Sequence, residues 1–284
     1  MFTLVARNLR LYFLDRAAVL FSLLGALIAV GLILLFLRTS MIDSMTTGSG
    51  GLVNTAQAGH VINAWLVASA SVIASATTGL AALRQFVDDK ETNRWRDFLV
   101  TPLPRWAITG GYLLAAAIVS AIMTTVVYAL GTAYCLGTGT PLAWGDVAAG
   151  WGWLMLCCLG FTGLMGLTVS LLNTGAAFSG LSVIVGVTFG FLAETYVSHS
   201  ALPSGVARVL GFLPFAQASA LVRAPYTAQS MAALPDQARQ ATTSALGLTP
   251  ASLGIAVWVV AAALAGLAVV SSLLAWRVMA RAVH

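Results

Sequence analysis

Asp88, Asp89, Lys90, Glu91, Arg94, Arg96 and Asp97 fall within ten consecutive positions, the densest gathering of charge in a chain that has little. Trp95, Phe98 and Leu99 are threaded among them at i, i+3 and i+4, so a helix through this stretch carries one apolar ridge on a charged body. A loop that only faces water needs no such ridge. The chemistry that fits is recognition, in which a partner buries the ridge while the surrounding charges set register. Pro102 pushes Thr101 away from helical dihedrals and Pro104 adds a second break. A short helix from about Asp88 to Val100 is therefore predicted to end there.

Covalent chemistry has less to build on. A Walker-type phosphate loop requires Gly-Lys-Ser/Thr, and the only lysine, Lys90, follows Asp89. A serine nucleophile needs a histidine within hydrogen-bond reach. His60 and His199 sit at the ends of apolar runs, His284 is the last residue, and neither Gly-x-Ser-x-Gly nor HExxH occurs. Cys135, Cys157 and Cys158 lie inside apolar runs with no CxxC spacing, and read as small buried hydrophobes. The chain is expected to be no enzyme and to bind no metal or cofactor of its own. Glu194, at the end of an apolar run, reads either as an interfacial carboxylate or as a gate or lining residue.

The elements that must position these residues are apolar. Of 284 residues 59% are hydrophobic and 8% charged, where soluble domains carry roughly 25%. Lipid must cover what polar groups do not. Ala17–Leu37, Val61–Leu83, Ala107–Leu136, Trp151–Leu172, Gly175–Ala193 and Leu253–Trp276 contain no Asp, Glu, Lys, Arg or His. About 20 such residues cross a bilayer as a helix, and the runs lack the alternation of a β-barrel. The fold class expected is an all-α integral membrane protein with six transmembrane helices. The first run is longer than the apolar core of a cleaved signal and is read as a retained anchor.

With the N-terminus inside, ten basic residues fall on the inner side and four (Arg38, Arg208, Arg223, Arg239) on the outer side. The positive-inside rule then places both termini in the cytoplasm. The basic residues flank apolar runs and form no stripe with aromatics, which argues against nucleic acid. Residues 1–16 put Phe2, Val5, Leu9, Tyr12 and Phe13 on one face and Arg7 and Arg10 off it, which reads either as a helix lying on anionic lipid or as a plain basic flank of the first span. Residues 17–284 form the membrane domain, with 84–105 as an inner loop and 194–250 as an outer region. Within the latter, Pro203 and Pro214 cut Ala201–Val222 into re-entrant pieces, and Arg223–Pro250 reads as a small external cap.

Small residues crowd the spans. Ala68 to Ala76 in the second, Gly160, Gly163 and Gly166 in the fourth, and Gly186-x-x-x-Gly190 in the fifth allow close helix approach, within the chain or across a dimer seam. Asn63, Ser71, Ser75, Phe178, Phe189 and Phe191 are candidate lining residues of a mostly apolar path with some hydroxyls. Such a path suits a hydrophobic or amphipathic drug, antibiotic or lipid-linked cargo.

Glu91, Arg94, Trp95, Phe98 and Leu99, followed by Thr101-Pro102-Leu103 and Arg105-Trp106, resemble the Glu-x-Gly…Leu…Pro-Leu-x-Arg pattern of the permease subunits of ABC-2 type exporters, with Asn93 where that family usually has Gly. Phe212-Leu213-Pro214-Phe215…Arg223-Ala224-Pro225 is similar to the family's re-entrant segment before its last span. Arg7-Asn8-Leu9-Arg10…Asp15-Arg16 looks like its interfacial connecting helix. The resemblance implies a multi-pass protein of the plasma (inner) membrane that pairs with itself or a sister permease. It also implies two cytoplasmic ATPase subunits that bind ATP and Mg. Asp88, Asp89, Glu91, Arg94, Trp95, Arg96, Phe98, Leu99 and Pro102, with Arg7 and Arg10, would face those ATPases. Substrate would pass outward between protomers, beside the second and fifth spans.

Three other classes compete. Secondary transporters usually carry intramembrane carboxylates, absent from the six runs, although carbonyls and hydroxyls can also hold sodium. An intramembrane enzyme lacks its motifs. A channel or scaffold has no need of the aromatic ridge.

Overall fold

The computed structural model describes residues 1–17, 19–20, 31, 33–94, 104–196, 203–250 and 255–281. Most of the expected first span lies outside these residues, as do 95–103 of the charged loop. Every regular element among the described residues is helical. In chain order they are α1 (Phe2–Leu14), α2 (Arg38–Gly48, preceded by one π-turn), α3 (Thr55–Ala82), α4 (Arg84–Glu91), α5 (Arg105–Gly137), α6 (Trp144–Ser170), α7 (Gly175–Leu192), α8 (Ser204–Phe212), α9 (Pro214–Ala232), α10 (Asp236–Ala245) and α11 (Val257–Arg281). Five of them, α3, α5, α6, α7 and α11, are long and apolar enough to cross a membrane, and the bent pair α8–α9 would make a sixth. The chain has the character of a multi-pass membrane protein.

Helix α3 occupies the centre, packed by α5, α6, α7 and α9. Its small side chains explain why. Ala64, Ala68, Ser69, Ser71, Ala74, Ser75 and Ala76 are fully buried and let four neighbours approach together. The hydroxyls do not arrive unsatisfied: Ser69 donates to Trp65 O (2.7 Å), Ser71 to Val67 O (2.8 Å) and Thr78 to Ala74 O (2.6 Å). Ser120 of α5 donates across to Ser75 O at 2.7 Å. Asn54 starts α3 with a capping box completed by Gln57.

The glycines of α6 form the seat of α11. A Cβ on Gly163 would stand 2.5 Å from Ser271 Oγ, and one on Gly166 3.5 Å from Ala275 Cβ and 2.4 Å from Leu113 Cδ2 of α5. Gly160 lies against the Leu264 carbonyl. These small residues serve packing within the chain. In α7 the two glycines part company: Gly190 is covered by the Tyr196 ring, whereas Gly186 has nothing near it. The outward faces of α7 (Val183, Ile184, Val187, Phe191) and α11 (Val269, Val270, Leu273) are exposed and apolar.

The bundle has two polar ends. At the basal end α1, α4, the start of α5 and the α6–α7 turn come together. At the distal end lie α2, α10 and the starts of α3 and α6. Two expectations change here. The helix expected over 88–100 is not continuous: α4 runs Arg84–Glu91 and the backbone turns left-handed at Asn93 (φ 57°), while 95–100 lie outside the described residues. Thr92 Oγ1, donating to Asp88 O at 2.7 Å, helps close that end. The expected cap from Arg223 is also divided. After a 77° bend between α8 and α9, α9 continues through Arg223 and Pro225 to Ala232, with Arg223 fully buried. Only residues beyond Ala232 cover the distal end.

Candidate functional site

Helix α4 is braced on three sides, and the braces come from the charges that stand out in the sequence. Asp89 is fully buried and its carboxylate accepts from Arg7 Nη1 (2.9 Å) and Nη2 (3.3 Å), the Tyr112 hydroxyl (2.6 Å) and Gln85 Nε2 (3.0 Å). One acid thus joins α1, α4 and α5. The bond to Asp89 holds the Arg7 guanidinium more firmly in its charged form than burial loosens it, so its pKa is raised. Leu4 seats α1 on Gly111 of α5, where a Cβ would come within 3.2 Å of it.

The other two braces hold the α6–α7 turn. Lys90 Nζ donates to Leu172 O (3.0 Å), just past the C-terminus of α6. Glu91 Oε2 accepts from the Gly175 backbone N–H (2.8 Å), the first residue of α7. A cation at a helix C-terminus and an anion at a helix N-terminus are the favourable pairing with the two macrodipoles. Asp88 pairs with Arg84 on the exposed side of α4 at 3.5 Å. Arg10 and Arg94 are exposed near the same end. Trp95, Arg96, Phe98, Leu99 and Pro102 lie outside the described residues, directly after this braced helix.

The expected pathway residues are not brought onto one open surface. Asn63 is buried and occupied: its Oδ1 accepts from Arg38 Nε (2.8 Å) and its Nδ2 donates to Thr138 (3.2 Å). Ser71 and Ser75 lie inside the bundle and bond to their own helix. Phe178 is packed in the core, and Phe189 meets Phe161 and Phe215 edge to face at centroid distances of 5.0 and 4.8 Å. Phe191 alone is exposed, edge-on to Tyr196. Helix α3, the expected second span, is central and covered by its neighbours, because its small residues let helices approach closely.

Glu194 is buried, left-handed (φ 52°), and ends α7 inside the protein. Its neighbour is Arg223, which the sequence marks only as a basic residue of the outer region and not as a site residue. Arg223 Nη2 donates to the carbonyls of Ala193 (2.7 Å) and Glu194 (3.1 Å), and Nε donates to Ser69 Oγ (2.7 Å). Its guanidinium lies 4.8 Å from the centre of the Trp65 ring. Among the described residues Arg223 Nη1 and the Ser219 and Thr195 hydroxyls have no hydrogen-bond partner although all are buried. The available signal was an arginine inside an apolar, proline-flanked segment, which is costly unless partnered. No group of His, Cys, Asp and Glu fit to hold a metal occurs among the described residues.

No protein-family profile matches the chain, and no curated protein is recognisably similar to it.

Proposed function

We propose that the chain is the permease subunit of an ATP-driven exporter, moving a hydrophobic or amphipathic substrate outward across the plasma membrane with ATP and Mg bound by a separate ATPase chain. In this reading it has six spans, both termini are cytoplasmic, and the functional unit contains two permeases. The observation that carries the reading is the bracing of α4. A segment that receives a mechanical input must not yield at its root, and α4 is fixed to α1 and α5 through Asp89 and to the α6–α7 turn through Lys90 and Glu91. The aromatic ridge Trp95, Phe98 and Leu99 follows directly.

The test is purification of the tagged chain from its native membrane in mild detergent. Expected is a co-purifying polypeptide with a GxxxxGK[ST] loop and ATPase activity, lost in the Trp95→Ala, Phe98→Ala, Leu99→Ala triple variant. Recovery of the chain with no such polypeptide, or its undiminished recovery with the triple variant, defeats the reading. Labelling of an Arg94→Cys variant from the outside only would defeat it independently.

One observation favours a second reading, an ion-coupled transporter. Arg223 and Glu194 are an ionisable pair of residues buried within the bundle, next to hydroxyls without partners. Transport that persists without ATP and collapses with the ion gradient would decide for it.

A further inference from the structure

At the distal end α2 and α10 stand as two walls of a cavity of about 550 Å³, within the range of small-molecule sites. Its apolar surface comes from Leu37, Met41, Met45, Ile62 and Leu246. Its polar surface is made of hydroxyls: Ser40, Ser44, Ser49, Thr242 and Tyr196. We propose that this cavity binds a neutral, largely apolar molecule carrying a hydroxyl group, of the kind represented by a medium-chain alcohol.

Three observations select that chemistry. Among the described residues no charged side chain lines the cavity. Of the charges on its walls, Arg38 is engaged with Asn63, and Arg239 with Asp236 and the carbonyls of Met231, Ala232 and Leu234. Asp43 is exposed and points its charge to solvent rather than lining the site. An ionic ligand would lose hydration there without compensation. Second, Ser44 and Ser49 spend their protons on Ser40 O (2.8 Å) and Thr46 O (2.9 Å); Ser49 Oγ also accepts from the Val53 N–H (3.3 Å), which leaves one of its lone pairs and those of Ser44 as acceptors for a ligand hydroxyl. Third, two methionines supply an adaptable apolar surface, suited to a class of ligands more than to one shape. The floor is rigid: Trp65 Nε1 donates to Leu246 O at 3.0 Å, and Tyr196 is stacked over Gly190.

Binding at this site needs neither ATP nor a partner chain, so it stands apart from the energy source proposed above. The test uses the purified full chain in nanodiscs without nucleotide, photolabelled with a diazirine-bearing decanol and mapped by peptide. Expected is saturable labelling of 37–49 and 238–246, competed by plain decanol. It should fall about tenfold or more in Ala241→Trp and in Ser44→Trp, which fill the cavity from opposite walls, a factor equal to about 1.4 kcal/mol. Labelling of the lipid-facing surface of α7 should be unchanged, which reports that each variant is folded. A diazirine-bearing decanoate should label the cavity at least about tenfold less, because its charge has no partner there. Non-saturable labelling, labelling undiminished in the two Trp variants, or labelling by the decanoate equal to that by the decanol overturns the proposal, while leaving co-purification of an ATPase untouched.

Discussion

Replacing Arg7 with alanine tests whether one buried acid holds α1 to the bundle. Asp89 accepts four hydrogen bonds, two of them from Arg7. Removing one partner of a buried pair commonly costs about 3–5 kcal/mol. Here Tyr112 and Gln85 continue to hold the carboxylate, and the Arg7 side chain is 30% exposed, so water reaches the space it leaves. A cost of about 2 kcal/mol is the reasonable share, equal to about 30-fold in an opening equilibrium. The assay is hydrogen exchange of the α1 amides in nanodiscs, which reads local opening directly. Arg7→Ala should speed exchange over 2–14 about 30-fold and leave α6 unchanged. Asp89→Asn should act more weakly, since Asn still accepts from Tyr112 and Arg7 can turn to water. The double variant should exchange no faster than Arg7→Ala alone. Acceleration below about threefold, equivalent to less than ~0.7 kcal/mol, or single effects that simply sum, would show that Leu4 and Val5 hold α1 and the charges do not.

Other outcomes follow from packing and backbone geometry. A Cβ on Gly131 would stand 2.4 Å from Val67 Cγ1, so Gly131→Ala should lower the melting temperature in detergent, an overpacking cost of about 1–3 kcal/mol that Val67→Ala in the same chain relieves. Arg223→Met should cost about 2 kcal/mol or more by stranding the Ala193 and Glu194 carbonyls, and Arg223→Lys should not restore it, because one ammonium lacks the fork that spans Ser69 and both carbonyls. Asn93→Gly should be neutral or stabilising and Asn93→Val should cost about 1–2 kcal/mol, read as faster tryptic cleavage at the exposed Arg94.

The long apolar helices were legible because hydrocarbon thickness imposes a length on them, and each of the five begins or ends within a few residues of the expected bounds. Helices α3 and α6 start earlier than expected, at Thr55 and Trp144, and Asn54 and Gln57 cap α3 there. The bend at Pro214 was legible from the proline itself. The end of α4 was not. A ridge at i, i+3 and i+4 implies a helix through Trp95, but it says nothing of the left-handed residue two positions before it. The charges of 84–91 were recognised as a group, yet several of them turn inward to neighbouring helices, a distinction that only packing reveals. Arg223 was hidden for a related reason: its partners are main-chain carbonyls 29 and 30 residues away, and backbone acceptors leave no trace in a side-chain pattern.

Lys90 and Glu91 are adjacent, yet they grip opposite ends of consecutive helices, the tail of α6 and the head of α7. A force that moved α4 would therefore act on both helices at their shared corner, and a rotation about that corner would be largest at their far ends, where Tyr196 and the end of α7 meet the cavity wall. A shift of an ångström at the corner would then be felt as a change in the shape of a site some 27 Å away, the length of an 18-residue helix.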